Sequence, residues 1–295
     1  MTLLSYEIFQ TIIEQGSFVK AASILHLTPS AVSHSISSLE SEVGFPLFIR
    51  NKNGVKLTNY GEQILPYFQQ VIRSNQNVLQ KISEMNGLSV GNVKIGCINS
   101  VCLIWMPDII KLFSKEFPQI NIEVYQGSYS DVIEWIKNGV IDIGILSNSV
   151  HKNLPFIPLY EDPLCCITKK NYMPKGTKSI TPSDLINKPF IIQQNSCDTD
   201  IVNFLNKYSL NIQANCHILD DQSCIAMAEC GMGILILPML LVKSLKKNID
   251  VFPISPTQKR ILGISCLDEN FLSPVAIALI DVIKSFIKDI PGSLV

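Results

Sequence analysis

Small polar side chains within residues 28–43 have types and spacings that suit hydrogen bonding to another molecule. The set consists of Ser30, Ser33, His34 and Ser37. At helical spacing all of them lie on one side of the segment, and only His34 is bulky. Such a face can approach a surface lined with hydrogen-bonding edges, although a solvated serine-rich helix face is the simpler alternative.

The other side of the same segment predicts burial. Its apolar stripe recurs every three or four residues and consists of Val32, Ile36, Leu39 and Val43. Thr28 is a suitable N-cap, Pro29 suits the first helical position, and Gly44 ends the helix. We therefore predict one short helix with a buried face and a polar face.

Two amphipathic segments precede this helix. The first places Leu4, Ile8, Phe9, Ile12 and Ile13 on one stripe and closes at Gly16. The second runs from Phe18 to Leu25, and a turn at residues 26–28 connects it to the polar-faced helix. Two helices joined in this way form a helix-turn-helix, whose second helix enters the DNA major groove.

A basic segment follows the predicted helix-turn-helix. Its cations are Arg50, Lys52 and Lys56, with no acid between residues 45 and 60. Residues 49–57 predict a hairpin with Asn53–Gly54 at its turn, and its cations could neutralise DNA phosphates. A solvated turn is the alternative for Lys56. Overall charge gives no support, since the net charge is −1 and residues 1–90 contain six basic and six acidic side chains.

Many residues of this N-terminal part occur at fixed offsets. They are Gly16, Ser17, Phe18, Ala21, Ala22, Ala31, Val32, Ser33, Leu39, Glu40, Gly44, Leu47, Phe48, Arg50, Leu57, Thr58 and Gly61. Together they resemble the N-terminal signature of the LysR-type transcriptional regulators. The resemblance implies an operator in double-stranded DNA, a small-molecule effector, a homodimer or homotetramer, and RNA polymerase as a partner if the protein is an activator. The expected DNA-binding residues are Ser17, Thr28, Ser30, Ser33, His34, Ser37, Arg50, Lys52 and Thr58.

Residues 59–88 predict a long helix with a coiled-coil stripe. The stripe alternates spacings of three and four and consists of Leu65, Phe68, Ile72, Asn75, Leu79 and Ile82. Thr58 can cap this helix, and Pro66 should kink it within its first two turns. We expect a helix from a second subunit to cover the stripe, as the family's dimerising linker helix implies.

From Val93 onward, β-branched runs alternate with helical segments, which predicts an α/β domain with a parallel sheet. The resemblance implies an effector domain of the periplasmic-binding-protein type, with two α/β lobes. By analogy the chain crosses between lobes near Asp162–Pro163 and Leu267–Asp268. The expected architecture is α/β overall, with a winged helix-turn-helix (1–58), a linker helix (59–88) and an effector-binding domain (89–295), whose lobe I contains 89–163 and 267–295 and whose lobe II contains 164–266.

Turns that follow predicted strands are the expected effector site, because ligands of such lobes meet the carboxyl ends of strands. The expected residues are Asn99, Ser100, Gly127, Ser128, Gln194, Asn195 and Ser196. These turns contain no cation, and Arg260 is the only arginine of the domain. We therefore expect a small polar effector, and a multiply charged anion only if Arg260 reaches the site. The alternative is that Ser100 and Ser128 merely cap their helices.

Catalytic and metal-binding patterns are absent from the sequence. It has no serine nucleophile elbow and no Cys or His spacing typical of zinc, so we expect neither an enzyme nor a cofactor. Asp200 and Asp221 are interpreted as acids at helix N-termini. No apolar run approaches the roughly 20 residues of a membrane span, and no signal peptide is evident, so we expect a cytoplasmic protein.

Two alternatives to an effector-responsive regulator stay open. Cys197 stands where peroxide-sensing members of the resembled family carry a reactive cysteine, which would make the protein a redox sensor. Asn206 occupies the position of the resolving thiol, and Cys216 or Cys224 could replace it. The alternative from another class is a solute-binding protein, which has the same two lobes without a DNA-binding part.

Overall fold

The computed structural model describes residues 1–51, 54–85, 91–151, 153–193, 199–210, 214–218, 220–242 and 248–295. The chain divides into two compact units. Unit 1 comprises Met1–Leu88 and Lys137–Val140, and unit 2 comprises Ser89–Ile136 and Ile141–Val295. Within the described ranges, no helix combines the length and the hydropathy that a membrane crossing requires.

Unit 1 begins with three helices, α1 (Leu3–Gln15), α2 (Phe18–Ile24) and α3 (Pro29–Val43). Their N-caps are Thr2, Ser17 and Thr28, whose hydroxyls each accept a hydrogen bond from the backbone N–H three residues later. Gly16 and Gly44 end α1 and α3 with φ of 61° and 84°, a left-handed conformation that favours glycine. The predicted helix-turn-helix is confirmed.

A single apolar core joins these helices. Its members with the lowest exposure include Phe9, Ile12, Val32, Ile36 and Leu47. Leu4 is an exception to the predicted stripe of α1, because it is 50% exposed. Burial of each large apolar side chain contributes about 1.5–3 kcal/mol, so this core fixes the orientation of α3.

The predicted hairpin is present as β1 (Phe48–Asn51) and β2 (Gly54–Leu57), which pair antiparallel. Asn51 pairs with Gly54. Because Gly54 already belongs to the ladder, the prediction that Gly54 lies in the turn is wrong. Asn53 lies outside the described residues.

The long helix α4 (Asn59–Met85) continues through Pro66. Thr58 caps it as predicted, since its hydroxyl accepts from the N–H of Gly61 at 3.0 Å and donates to the carbonyl of Pro46 at 2.8 Å. Phe68 enters the core of unit 1, where its ring stacks on that of Tyr6 at 4.4 Å.

The first part of unit 2 alternates strands and helices. Its elements are β3 (Gly91–Cys97), α5 (Asn99–Ile104), α6 (Met106–Glu116), β4 (Ile120–Gln126), α7 (Tyr129–Lys137) and β5 (Ile143–Ser147). The strand β3 pairs parallel with β4 and β5. Trp105 ends α5 and precedes α6, so the helical segment between β3 and β4 is divided into two helices.

The second part completes both lobes. Its elements are β6 (Phe156–Lys169), α8 (Pro182–Leu185), β7 (Phe190–Gln193), α9 (Thr199–Lys207), β8 (Ala214–Ile218), α10 (Asp221–Cys230), β9 (Leu235–Pro238), α11 (Met239–Val242), β10 (Ile249–Pro253), β11 (Lys259–Ser265), a 3-10 helix (Glu269–Phe271) and α12 (Pro274–Lys288). The strands β7 and β8 pair parallel. Antiparallel pairing of β11 with β5 makes the sheet of lobe I mixed rather than parallel.

The long strand β6 joins the two lobes. Residues 156–163 pair with β11, whereas residues 164–169 pair with β9 and β10. The predicted crossing at Asp162–Pro163 therefore lies inside β6. The second predicted crossing at Leu267–Asp268 is too late, because β11 already pairs with both β6 and β5 of lobe I. The expected lobe boundary at residues 266 and 267 is accordingly wrong.

Candidate functional site

The outer face of α3 is polar and accessible. Ser30, His34 and Ser37 are exposed, and Ser33 is half-buried. Beneath them Val32 and the rest of the apolar stripe are buried against α1 and α2. The structure thus brings the four sequence-predicted groove residues onto one surface of one rigid helix.

Other residues expected at DNA have structural roles as well. The Ser17 hydroxyl accepts from the N–H of Lys20 at 3.4 Å, and that of Thr28 accepts from Ala31 at 3.1 Å. Each therefore holds the start of a helix of the helix-turn-helix. The side chain of Arg50 and the whole of Lys52 lie outside the described residues.

The expected dimer stripe of α4 has two parts with different surroundings. Leu65, Phe68 and Ile72 are only 5–7% exposed within this chain. For Leu65 and Phe68 the reason is the core of unit 1, so a second subunit is not needed to cover them. Asn75 is half-buried. Leu79 and Ile82 are 58% and 49% exposed. Only the C-terminal half of the predicted stripe is open.

The turn after β3 is built around a buried hydroxyl. Ser100 is 5% exposed, and its Oγ accepts from Nη2 of Arg260 at 2.8 Å. The N-cap of α5 is Ile98, which provides no side-chain cap. Ser100 is therefore not a helix cap, and its hydroxyl is used by a side chain from β11.

Arg260 also forms a buried ion pair with Asp162 of β6. Nε and Nη2 of Arg260 donate to Oδ2 of Asp162 at 3.0 and 2.9 Å, and the two residues are 3% and 0% exposed. The N–H of Leu240 donates to the other carboxylate oxygen at 2.8 Å. The condition that Arg260 reaches the expected site is thus met, but its charge is compensated there.

The hydroxyl of Tyr129 connects this ion pair to lobe II. It accepts from Nη1 of Arg260 at 3.0 Å and donates to Oδ2 of Asp200 at 2.9 Å. Ser147 donates to Oδ1 of the same aspartate at 3.1 Å. Asp200 lies in the first turn of α9, so two hydroxyl groups of lobe I bind one carboxylate of lobe II.

A second aspartate of lobe II makes a similar contact. Nδ2 of Asn99 donates to Oδ2 of Asp221, the first residue of α10, and Nε2 of Gln126 donates to Oδ1 of Asn99 at 2.8 Å. We call the whole set the interlobe polar cluster. It consists of Asn99, Ser100, Gln126, Tyr129, Ser147, Asp162, Asp200, Asp221 and Arg260.

The turn after β4 differs from the turn after β3. Ser128 caps α7, since its Oγ accepts from the N–H of Asp131 at 3.3 Å while its own N–H donates to the Asp131 carboxylate at 2.8 Å. A Cβ at Gly127 would lie 2.6 Å from the Trp135 ring, so only glycine fits there. The capping alternative therefore describes Ser128 but not Ser100.

Sequence reasoning missed most of the interlobe polar cluster. Gln194, Asn195 and Ser196 lie outside the described residues. Asp200 and Asp221 lie in the first turns of helices, as interpreted, but such positions do not by themselves predict contacts across the lobes. The pair formed by Asp162 and Arg260 has no local signal, because its members are 98 residues apart.

The thiols of unit 2 give little support to redox sensing. Burial raises the pKa of Cys97 and Cys165, and it raises the pKa of Cys166 to about 12, so these thiols stay protonated and unreactive. Cys224, a candidate resolving thiol, is fully buried. Cys197 and the side chain of Cys216 lie outside the described residues.

Comparisons with known proteins agree with this organisation. Residues 3–62 match the family of bacterial regulatory helix-turn-helix proteins of the lysR family, and residues 86–287 match the LysR substrate binding domain. The uncharacterized HTH-type transcriptional regulator YvbU of Bacillus subtilis is 29% identical over 238 residues, which cover 80% of this chain and 81% of that protein. The match over residues 3–62 rules out the alternative of a solute-binding protein without a DNA-binding part.

Two solved structures share the fold. A variant of full-length OxyR from Pseudomonas aeruginosa has a TM-score of 0.78 at 20% identity, over 98% of this chain and 95% of that one. Full-length CbnR in complex with its target DNA has a TM-score of 0.57 at 16% identity, over 97% and 99% of the two chains. With both its domains matched by family models, this chain belongs to the LysR family of bacterial helix-turn-helix transcriptional regulators, which bind operator DNA and respond to small-molecule effectors.

Proposed function

We propose that this regulator reads its operator through the outer face of α3 and changes its hold on DNA when an effector enters the interlobe polar cluster. The observation that carries the proposal is that two hydroxyl groups of lobe I, those of Tyr129 and Ser147, bind one carboxylate of lobe II, that of Asp200. A molecule that replaces the hydroxyls of Tyr129 and Ser147 there alters the contacts between the lobes. Such a ligand favours one lobe arrangement by its differential affinity for it.

On the DNA side, Ser30, Ser33, His34 and Ser37 contact base edges in the major groove. Their exposure and the buried stripe beneath them support this role. Ser17, Thr28 and Thr58 hold the backbone of their turns and contact phosphates, together with the cations Arg50 and Lys52. The complex of CbnR with its target DNA shows that a protein of this fold docks on a duplex.

On the effector side, Asn99 and Ser100 contact the effector directly. The turn of Gly127 and Ser128 shapes one wall of the site, and residues 194–196 contribute from lobe II. Support comes from the match to the LysR substrate binding domain and from the position of Ser100 at the carboxyl end of β3.

The exposed C-terminal half of α4 pairs with a second subunit in a homodimer or homotetramer. Leu79 and Ile82 lie on this half, together with the exposed Val78 and Met85. An exposed apolar stripe of this length is stabilised when a partner helix covers it. RNA polymerase is a further partner if the protein is an activator.

The proposed function is regulatory binding without catalysis and without a cofactor. The family assignment supports it, since members of the family are transcriptional regulators. The cytoplasm, where operator DNA is found, is the proposed location.

A footprint of the full-length protein on the DNA flanking its own gene tests the proposal. We expect a protected operator whose extent changes when a small-molecule extract of the source cells is added. Ser100→Asn should bind the operator normally and lose this change, because the larger side chain crowds the buried position.

Ser273→Asn, at the N-cap of α12 and outside the proposed site, provides the control for that variant. Asparagine is a good N-cap, so this variant should still bind the operator and still respond. A full response from a folded Ser100→Asn protein would place the effector elsewhere.

A further inference from the structure

Arg260 is the one cationic side chain of the interlobe polar cluster, and each of its three side-chain nitrogens donates a hydrogen bond within the cluster. Two of its nitrogens, Nε and Nη2, converge on a single oxygen of Asp162. Nη2 also donates to Ser100, and Nη1 donates to Tyr129. The guanidinium fork that usually grips a carboxylate or phosphate is thus already filled by a carboxylate of the same chain.

Asp162 is held firmly in this arrangement. It is fully buried, and the backbone N–H of Leu240 in α11 donates to its second oxygen at 2.8 Å. An effector that took Arg260 from Asp162 would leave a buried carboxylate without its counter-ion, which is unfavourable. The ion pair therefore resists exchange with an anionic ligand.

The remaining charged groups of the cluster are acceptors. Oxygens of Asp200 accept from Tyr129 and Ser147, and an oxygen of Asp221 accepts from Asn99. Hydroxyl or amino groups of a ligand can replace these donors one for one. A carboxylate or phosphate would face negative charge there.

We infer that Asp162 is a specificity-determining residue, which by occupying Arg260 restricts the effector to small molecules with hydroxyl or amino groups and without a carboxylate or phosphate group. The inference rests on the proposed location of the effector in the interlobe polar cluster. Asp162 acts through Arg260, so it is a positioning residue that need not touch the effector itself.

Separation of a small-molecule extract on an anion-exchange resin tests the charge of the effector. Wild-type full-length protein should change its operator footprint with the fraction that flows through and not with the retained fraction. A response to the retained fraction alone would overturn the inference about specificity and leave the proposed function standing. A response to neither fraction would instead overturn the proposed function.

Acetate is a defined probe for the role of Asp162. The Asp162→Asn variant keeps an acceptor for Leu240 but removes the charge that compensates Arg260. Sodium acetate, added at constant ionic strength, should raise the thermal unfolding midpoint of this variant. It should bind the variant at least about tenfold more tightly than it binds the wild type, which corresponds to the free energy of one charge-assisted hydrogen bond. The wild type should show no shift.

Two controls complete the acetate experiment. Glu161→Gln removes a carboxylate from the exposed ion pair with Lys259 on the same two strands, and it should not respond to acetate. Asp162→Asn combined with Arg260→Gln removes both buried charges and should not respond either. Acetate binding to the wild type as tight as to Asp162→Asn would overturn the inference, as would a folded Asp162→Asn protein that ignores acetate. If that variant does not fold, the wild-type titration and the fractionation still decide.

Discussion

The two units of this regulator present functional side chains in opposite ways. In unit 1 the residues proposed to read DNA lie on the exposed face of α3, and the core beneath them is formed by other residues. In unit 2 the interlobe polar cluster is largely buried, and its members come from elements between residues 99 and 260. We therefore expect changes on the proposed recognition face to leave the stability of the fold unchanged, and changes in the interlobe polar cluster to alter stability as well as the proposed effector response.

The largest expected effect comes from opening the buried ion pair. Asp162→Ala leaves the guanidinium of Arg260 buried without its counter-ion, so we expect a loss of about 3–5 kcal/mol in the free energy of unfolding of unit 2. Denaturant unfolding of the full-length protein measures it. Glu161→Ala, which opens the exposed pair next to it, should cost about 1 kcal/mol or less. Similar losses for both variants would remove the contrast between a buried cluster and an exposed surface.

Much of unit 1 could be predicted from the sequence because its signals are local. The apolar stripe of α3, its N-cap Thr28 and its C-terminal Gly44 lie within 17 residues and define both faces of the helix. A recognition surface on one helix needs no long-range information. The Asn–Gly turn rule does not determine which residues pair in the ladder, so it does not predict the pairing of Gly54 with Asn51.

The interlobe polar cluster and the burial of the stripe of α4 could not be predicted in the same way. Periodicity shows that Leu65 and Phe68 are buried, but it does not show whether a second subunit or the chain's own core covers them. Ser100 and Ser128 are the same residue type in similar turns, yet one accepts from Arg260 and the other caps α7. The difference comes from β11, which follows more than a hundred residues later and leaves no local pattern.

The next effect concerns α4, whose apolar stripe is buried in its N-terminal half and exposed in its C-terminal half. Leu79→Asp introduces a charge on the exposed half, so it should separate the subunits and lower operator affinity by about a hundredfold, through loss of the second half-site. Sedimentation and a binding titration measure these changes, and the unfolding midpoint of unit 1 should stay unchanged.

Phe68→Asp is the matched variant on the buried half of the same helix. Because Phe68 is 5% exposed and packs in the core of unit 1, an aspartate there should destabilise unit 1 itself. An intact dimer in the Leu79→Asp variant would show that the exposed stripe is not the subunit interface.

A smaller effect is expected for the recognition face. His34→Ala should lower affinity for the operator by about 1–3 kcal/mol and leave both random-duplex binding and the free energy of unfolding unchanged. Parallel titrations on operator and random DNA measure the difference.

His26, an exposed histidine with φ of 54° in the turn before α3, provides the control. His26→Asn tolerates this backbone conformation and should bind both duplexes as the wild type does. Equal losses on both duplexes would mean that His34 does not read bases.

The smallest effect tests whether the helix that carries Asp221 is held independently of the interlobe contacts. Asp220 caps α10, and hydrogen bonds from the side chain and backbone of Ser223 keep its pKa below the ordinary value of 3.8. A carboxyl whose pKa is lower in the folded protein stabilises the fold at pH above its unfolded pKa. That contribution is lost as the pH falls through the lower, folded pKa.

The unfolding midpoint of unit 2 should therefore drop slightly more steeply on acidification in the wild type than in Asp220→Asn, whose amide caps the helix at every pH. Since Asp220 is exposed, the difference should be small and should shrink with added salt. Identical acid profiles for the two proteins would show that the charge of Asp220 does not stabilise α10 beyond the capping hydrogen bond, which an amide oxygen accepts equally well.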